Sequence, residues 1–194
     1  MAESLCYTSY KKFVNKYGLI ENVTAYKDEN GNLVERGYWT NSSHVPVWKD
    51  IDPFKKIDIE SELAKYSSAG CITYVEIENA KLNEKAIEDI IVYAMTKKDI
   101  PYLAINITED QCLDCGFSDE DNVFINDTCP VCGSKNIQKP RRVTGYLGYD
   151  VRKTFNEGKQ MEEKDRKKHA SFKKKNIVEK YYGNPVDMEI KKHD

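Results

Sequence analysis

Long apolar runs are missing from this sequence. No stretch of its 194 residues approaches the roughly 20 consecutive apolar residues that a membrane-crossing helix needs. The amino terminus, MAESLCYTSYKK, has no hydrophobic centre of the kind a secretory signal carries. Membrane spanning and secretion are therefore not expected, and the compartment implied is the cytoplasm. No internal repeat is visible. Aliphatic residues are scarce between positions 109 and 138, where Cys, Asp and Gly are frequent instead, so that segment cannot build a core of its own. What remains is polar but foldable: 40% hydrophobic and 32% charged residues, with 13 tyrosines, too many for a wholly disordered chain. At this length one or two domains are expected. The near-neutral net charge of -2 hides an asymmetry. Residues 1–138 carry 14 Lys and Arg against 23 Asp and Glu, whereas residues 139–194 carry 16 against 9. A basic end can meet nucleic acid, a nucleotide phosphate or an acidic partner, or can be a solvated helix, and charge alone favours the last.

Local patterns give an α/β reading. Val23 to Tyr26 and Leu33 to Trp39 flank Asp28-Glu29-Asn30-Gly31, whose Asn-Gly step suits a tight turn, so a hairpin is expected. Asp58 to Tyr66 reads as a short helix stopped by Ser67-Ser68-Ala69-Gly70. Ile72 to Ile77 alternates as a strand of mixed burial. Asn83 can cap a helix with Ala86, Ile87, Ile90, Ile91 and Ala94 on one face, closed by Lys97 and Lys98 near its carbonyl end. Pro101 to Ile107 then suits a buried strand. Strand, crossover helix and strand make a βαβ unit, which places the two strands parallel and adjacent.

Cys112-Leu113-Asp114-Cys115-Gly116 and Cys129-Pro130-Val131-Cys132-Gly133 are two CxxC knuckles with thirteen residues between them. The glycine after each second cysteine permits the tight turn that aims both sulfurs at one point. Four thiolates so arranged form a closed structural zinc site, and the metal substitutes for the core the segment lacks. Disulfides would need an oxidising compartment, and an iron–sulfur cluster fits paired knuckles in one short ribbon less well than zinc. Cys6 and Cys71 have no partner motif; Cys71 abuts a predicted strand and is expected to be a buried, inert thiol.

Beyond the last cysteine comes Arg141-Arg142-Val143-Thr144-Gly145-Tyr146-Leu147-Gly148, then Phe155-Asn156-Glu157-Gly158-Lys159 and Glu162 to His169. The arrangement CxxCG, CPxCG, RRVTGYLG, FNxGKxxExxxRxxH resembles the C-terminal end of the anaerobic (class III) ribonucleoside-triphosphate reductases, oxygen-sensitive glycyl-radical enzymes. Upstream, YWTNSSHVPV and the βαβ unit look like the last part of that family's catalytic barrel, so the resemblance runs over about residues 36–169. It implies the C-terminal fragment of a ten-stranded α/β barrel within residues 1–110, a zinc ribbon in 111–138, a glycyl-radical loop in 139–160 and a charged tail in 161–194. By the same resemblance Gly145 stores the radical, and Gly148 and Gly158 serve flexibility or close packing in that loop. A Cα radical is delocalised over the flanking amide groups, which needs a locally planar carbon, and only glycine offers that without a side chain in the way. A separate radical-SAM activase, with its S-adenosylmethionine and iron–sulfur cluster, would remove a hydrogen from Gly145. The radical would then oxidise a barrel cysteine to a thiyl, which attacks the ribose of a ribonucleoside triphosphate, with formate or a dithiol as reductant.

Family members are several times longer, and neither Cys6 nor Cys71 sits in a context suited to the thiyl role. The chain alone is therefore not expected to reduce ribonucleotides; it needs a complementary reductase chain carrying the thiyl cysteine and the nucleotide-binding region. It reads as the C-terminal polypeptide of a split reductase, an excised fragment, or a spare glycyl-radical part. The initial Met and a leader, MAESLCYTSYKKFVNK, that does not match the family favour the first. His44 is a weak candidate for substrate contact, a structural histidine being at least as good a reading. Arg166 and His169 look structural or partner-facing. The rival class is a zinc-ribbon module that binds nucleic acid or protein. Its nucleic-acid form is disfavoured because only Phe117 and Phe124 are available for stacking, amid Asp114, Asp119, Glu120, Asp121 and Asp127.

Overall fold

The computed structural model describes residues 3–39, 44–67, 70–98, 100–143 and 146–172. In chain order the elements are α1 (Glu3–Tyr17), β1 (Ala25–Lys27), β2 (Leu33–Glu35), α2 (Pro53–Ala64), β3 (Ile72–Glu78) and α3 (Glu84–Val92), which runs into a π-helical turn, Tyr93–Lys97. They continue as β4 (Tyr102–Asn106), β5 (Glu109–Cys112), β6 (Ser118–Glu120), β7 (Ile137–Gln138), β8 (Arg141–Val143), β9 (Tyr146–Gly148), α4 (Val151–Thr154), α5 (Glu157–Asp165) and β10 (Ala170–Ser171). The class is α/β, and the chain divides into two compact units.

One unit comprises residues 50–107 and 168–194, of which 50–67, 70–98, 100–107 and 168–172 are described. Its sheet has the order β10-β3-β4 with both pairings parallel, Ile72 opposite Tyr102 and Ala170 opposite Ile77. The expected βαβ unit is thus present as β3-α3-β4. Asn83 caps α3 as read from sequence, its side chain accepting from the Ala86 N–H at 3.1 Å. Ile90 and Ala94, four apart, enter a core with Ile57, Ala64, Val75, Ile77, Ala80 and Ile100. Ile91 departs from the expected face and is 38% exposed, because one helical step rotates it about 100° away from Ile90. Helix α2 begins five residues before the expected Asp58: Asp52 accepts from the Lys55 N–H at 3.0 Å, and Pro53 occupies the first turn. Strand β3 is buried from Thr73 through Ile77 where mixed burial was expected, as suits a central parallel strand covered on both faces. Cys71 packs against this core but is only half-buried.

The C-terminal His169 locks onto β3. Its N–H donates to the Glu76 carbonyl and its Nδ1 accepts from the Glu76 N–H, both at 2.8 Å, which brings β10 alongside. The imidazole is therefore part of the sheet's hydrogen-bonding, a structural use.

The other unit comprises residues 1–49 and 108–167. Helix α1 supplies Tyr10, fully buried, whose hydroxyl donates to the Thr24 carbonyl at 2.7 Å and whose ring meets Trp39 edge-on. The β1–β2 hairpin forms where expected, Ala25 opposite Glu35, but its turn spans Asp28 to Asn32. Asp28 Oδ1 accepts from the backbone of Asn30 and Asn32, a local bond network that outcompetes the two-residue turn. Arg36 is buried with its guanidinium 3.8 Å from the Trp48 ring centre and 3.6 Å from an Asp165 oxygen. Tyr38 donates to the same carboxylate at 2.8 Å. Among the described residues no helix is long and apolar enough to cross a membrane.

Candidate metal centre and the adjoining hairpin

The two knuckles fold as near copies. In each, the glycine N–H returns to the carbonyl of the first cysteine at 3.0 Å: Gly116 to Cys112 and Gly133 to Cys129. The N–H of that cysteine donates to the carbonyl two residues beyond its knuckle's second cysteine, at 2.8 Å: Cys112 to Phe117 and Cys129 to Ser134. Closing the turn this way puts Gly116 at φ 77° and Gly133 at φ 74°, where a side chain would be strained. The β6-β5-β7 antiparallel sheet carries the first knuckle at the end of β5. Ser134 Oγ and Asn136 Nδ2 both donate to Asp114, at 2.5 and 2.7 Å, tying one knuckle to the other. Those bonds hold the Asp114 carboxyl below the usual carboxylate range, first through Ser134. Behind the cysteines Phe117 and Phe124 pack with centres 5.7 Å apart, alongside Val123 and Ile137. That is the whole apolar core of the ribbon.

The four sulfurs lie within 4.8 Å of one another, with Cys112 to Cys132 and Cys115 to Cys129 at 3.6 Å. A disulfide needs about 2.05 Å, so none is formed. Four sulfurs at about 2.3 Å from one tetrahedral ion would be about 3.8 Å apart, so the cluster fits a single metal such as zinc. Electrostatics points the same way. The Cys115 N–H, with Asp114's behind it, pulls the Cys112 thiol down to about 7. Cys132 moves up to about 12: the Ser134 N–H lowers it, but its neighbouring thiols, Cys115 foremost, and burial outweigh that bond. Protons alone cannot leave all four as thiolates, because each added charge opposes the next; a divalent cation removes that opposition.

After the ribbon, β8 and β9 form an antiparallel pair with Arg141 opposite Gly148 and Val143 opposite Tyr146. Gly145, the residue singled out for the radical, and Thr144 before it lie outside the described residues. Around them in sequence the packing is close. A Cβ on Gly148 would overlap Thr154 Oγ1 and sit 2.6 Å from a Phe155 ring carbon. Gly158 was expected in a loop; it stands in the first turn of α5, because Asn156 accepts from the Lys159 N–H at 2.9 Å and starts a helix. Lys159 Nζ lies 3.4 Å from the centre of the Tyr146 ring. His44 is half-buried in an irregular stretch, and residues 40–43 before it lie outside the described residues. Cys6 falls within α1. What sequence reading missed is the ion-paired Arg141, buried against Asp110 at 2.6 Å.

The family model for anaerobic ribonucleoside-triphosphate reductase matches residues 2–169. The chain belongs to this family. It is 37% identical over 172 residues to the anaerobic ribonucleoside-triphosphate reductase of Haemophilus influenzae and 36% identical over 172 residues to that of Escherichia coli. The reductase of Enterobacteria phage T4 is 36% identical over 175 residues. Each alignment takes in 87% of this chain but only 23%, 22% and 26% of the respective relative. The chain therefore spans about a quarter of the length of these reductases. Contrary to expectation, the leader MAESLCYTSYKKFVNK lies almost wholly inside the matched region, within α1, and so does not favour a split polypeptide over a fragment.

Proposed function

We propose that this chain is the radical-bearing C-terminal part of an anaerobic ribonucleotide reductase, with Gly145 as the site of the stored radical. The observation that supports this most directly is the family match through residue 169, which takes in both CxxC knuckles and the RRVTGYLG segment in order. In this reading β3-α3-β4 belongs to the last part of a ten-stranded barrel within residues 1–110, and residues 139–160 carry the radical segment on the ribbon's far side in sequence. Cys112, Cys115, Cys129 and Cys132 would hold zinc, which would supply rigidity and charge neutralisation and no redox chemistry.

The chemistry at Gly145 is the loss of one Cα hydrogen atom to a separate radical-SAM activase. The resulting radical is later refilled by a hydrogen from a cysteine on the complementary reductase chain, leaving a thiyl there. That thiyl abstracts a hydrogen from the ribose of a bound ribonucleoside triphosphate, the 2′-hydroxyl leaves as water, and formate or a dithiol supplies the two electrons that complete reduction to the deoxyribonucleotide. Among the described residues of this segment, Val143 pairs with Tyr146, and Lys159 lies over the Tyr146 ring. The alternative of a nucleic-acid-binding ribbon is disfavoured, since Phe117 and Phe124 pack on each other at a tilt of 42° and Phe124 is buried.

The test is anaerobic activation of the chain together with its reductase complement and activase. A glycyl doublet in electron spin resonance is expected, absent in Gly145→Ala, and admission of air should cut the chain at position 145. An intact chain after verified activation would overturn the assignment of Gly145.

A further inference from the structure

One guanidinium lies at the junction of three segments next to the metal centre. Arg141, the first residue of β8, is 7% exposed, and Asp110, two residues before the first cysteine, is 1% exposed. Arg141 Nη1 donates to Asp110 Oδ1 at 2.6 Å and to the Pro140 and Glu109 carbonyls at 3.0 and 3.4 Å. Its Nη2 lies 3.5 Å from Asp121 Oδ2, in the short turn that follows β6. Its Nε donates to Glu163 Oε1 on α5 at 3.2 Å. Lys139 adds a second cation, 4.0 Å from Asp110 and also paired with Asp127. A lysine in place of Arg141 has a point charge and no planar fork, so it could not bridge the ribbon's Asp110 and the helix's Glu163 in the same way.

We propose that Arg141 is a positioning residue that couples the folding of the four-cysteine ribbon to the β8–β9 hairpin on either side of Gly145. Asp110 is fixed by β5, which ends in Cys112, so loss of metal at the cysteines frees the carboxylate that anchors β8. The hairpin then opens although neither of its strands touches the metal. The significance for a radical segment rests on the function proposed above; the coupling itself does not.

Hydrogen exchange of the full chain, read by mass spectrometry with and without a zinc chelator, tests this. In the wild-type chain chelation should speed exchange of the peptide covering Arg141 to Gly148 by about tenfold or more, while the α1 peptide in the same unit changes by less than about twofold. In Asp110→Asn that still binds one zinc per chain, the hairpin should exchange fast already, and chelation should add less than about twofold. Full wild-type sensitivity to chelation in that variant would overturn the proposal. Should Asp110→Asn not fold or not retain zinc, Arg141→Lys decides: loss of the chelation effect with zinc retained supports the coupling, and a preserved effect refutes it. Absence of a radical in the activated wild-type complex would remove Gly145 from its proposed role and leave this measurement standing.

Discussion

Replacing Gly158 by alanine sets two effects of known sign against each other. In an open helix alanine is better than glycine by about 1 kcal/mol, so propensity alone predicts a more stable protein. The site is not open. A Cβ at position 158 would sit 2.5 Å from Tyr7 Cδ2 and 3.0 Å from the Gly37 carbonyl oxygen. The Tyr7 ring cannot swing away freely, because its hydroxyl donates to Glu157 Oε2 at 2.6 Å, one residue along the same helix. The Gly37 oxygen belongs to the backbone just before the buried Tyr38, so it yields less readily still. Overpacking of this kind costs about 1–3 kcal/mol, and the upper part of that range applies where backbone must move. The net expectation is a loss of about 1–2 kcal/mol, or a fall of about 2–8 °C in Tm for a chain of this size. Thermal unfolding followed by circular dichroism with zinc present measures it. Adding Tyr7→Ala in the same chain should recover part of the loss caused by Gly158→Ala. A rise in Tm on Gly158→Ala would refute the reasoning, since it would mean that α1 and α5 do not meet as closely as 2.5 Å implies.

Other expectations follow from the same contacts. One zinc per chain should be released on titrating the thiols, and Cys112→Ser should abolish tight binding and expose the ribbon to protease while β3-α3-β4 stays folded; a ribbon that resists protease without metal would count against it. The Tyr38 phenol is pushed well above its ordinary range, first by burial and then by Asp165. Its native state therefore keeps a proton that the unfolded chain loses near pH 10, so stability is complete below that pH and falls above it by up to about 1.4 kcal/mol per pH unit. Denaturant titrations at pH 9 and 11 should show that slope reduced in Tyr38→Phe, and an unchanged slope would show that the buried phenol does not contribute.

Much of the local structure was legible because its signals are local. The Asn83 cap and the glycine after each cysteine pair act within a few residues and appear in the structure as read, whereas β3 forms where expected but is buried over residues 73–77 instead of alternating. Helix α1 was missed although Tyr10, Phe13 and Tyr17 recur at helical spacing, because its polar positions outnumber them and burial of Tyr10 depends on Thr24 and Trp39. Helix α2 starts earlier than its apolar pattern suggests because its start is set by the Asp52 cap and the first-turn Pro53, which carry no periodicity. That the four cysteines come together was legible from spacing alone, since two CxxC turns bring their sulfurs to one point by local geometry. Arg141 could not be found that way: three of its partners, Asp110, Asp121 and Glu163, are 20 or more residues away in sequence, and an Arg-Arg pair in a basic segment looks like any solvated charge.

The placement of glycines near the hairpin argues for a segment whose position is fixed from outside. Gly116 and Gly133 are required by backbone angle, where the knuckles turn. Gly148 is required by space, against Thr154 and Phe155, and Gly158 by space against Tyr7 and Gly37. Each of the latter two brings a helix close to a strand or to another helix, and α5 meets the hairpin again through Lys159 over Tyr146 and Glu163 on Arg141. Strands β8 and β9 are three residues each, too short to hold their own geometry in water. Their order has to come from α5 on one side and the ribbon on the other. The described strands of this pair are thus held by their neighbours, through Glu163 and Lys159 of α5 and through Asp110 of the ribbon.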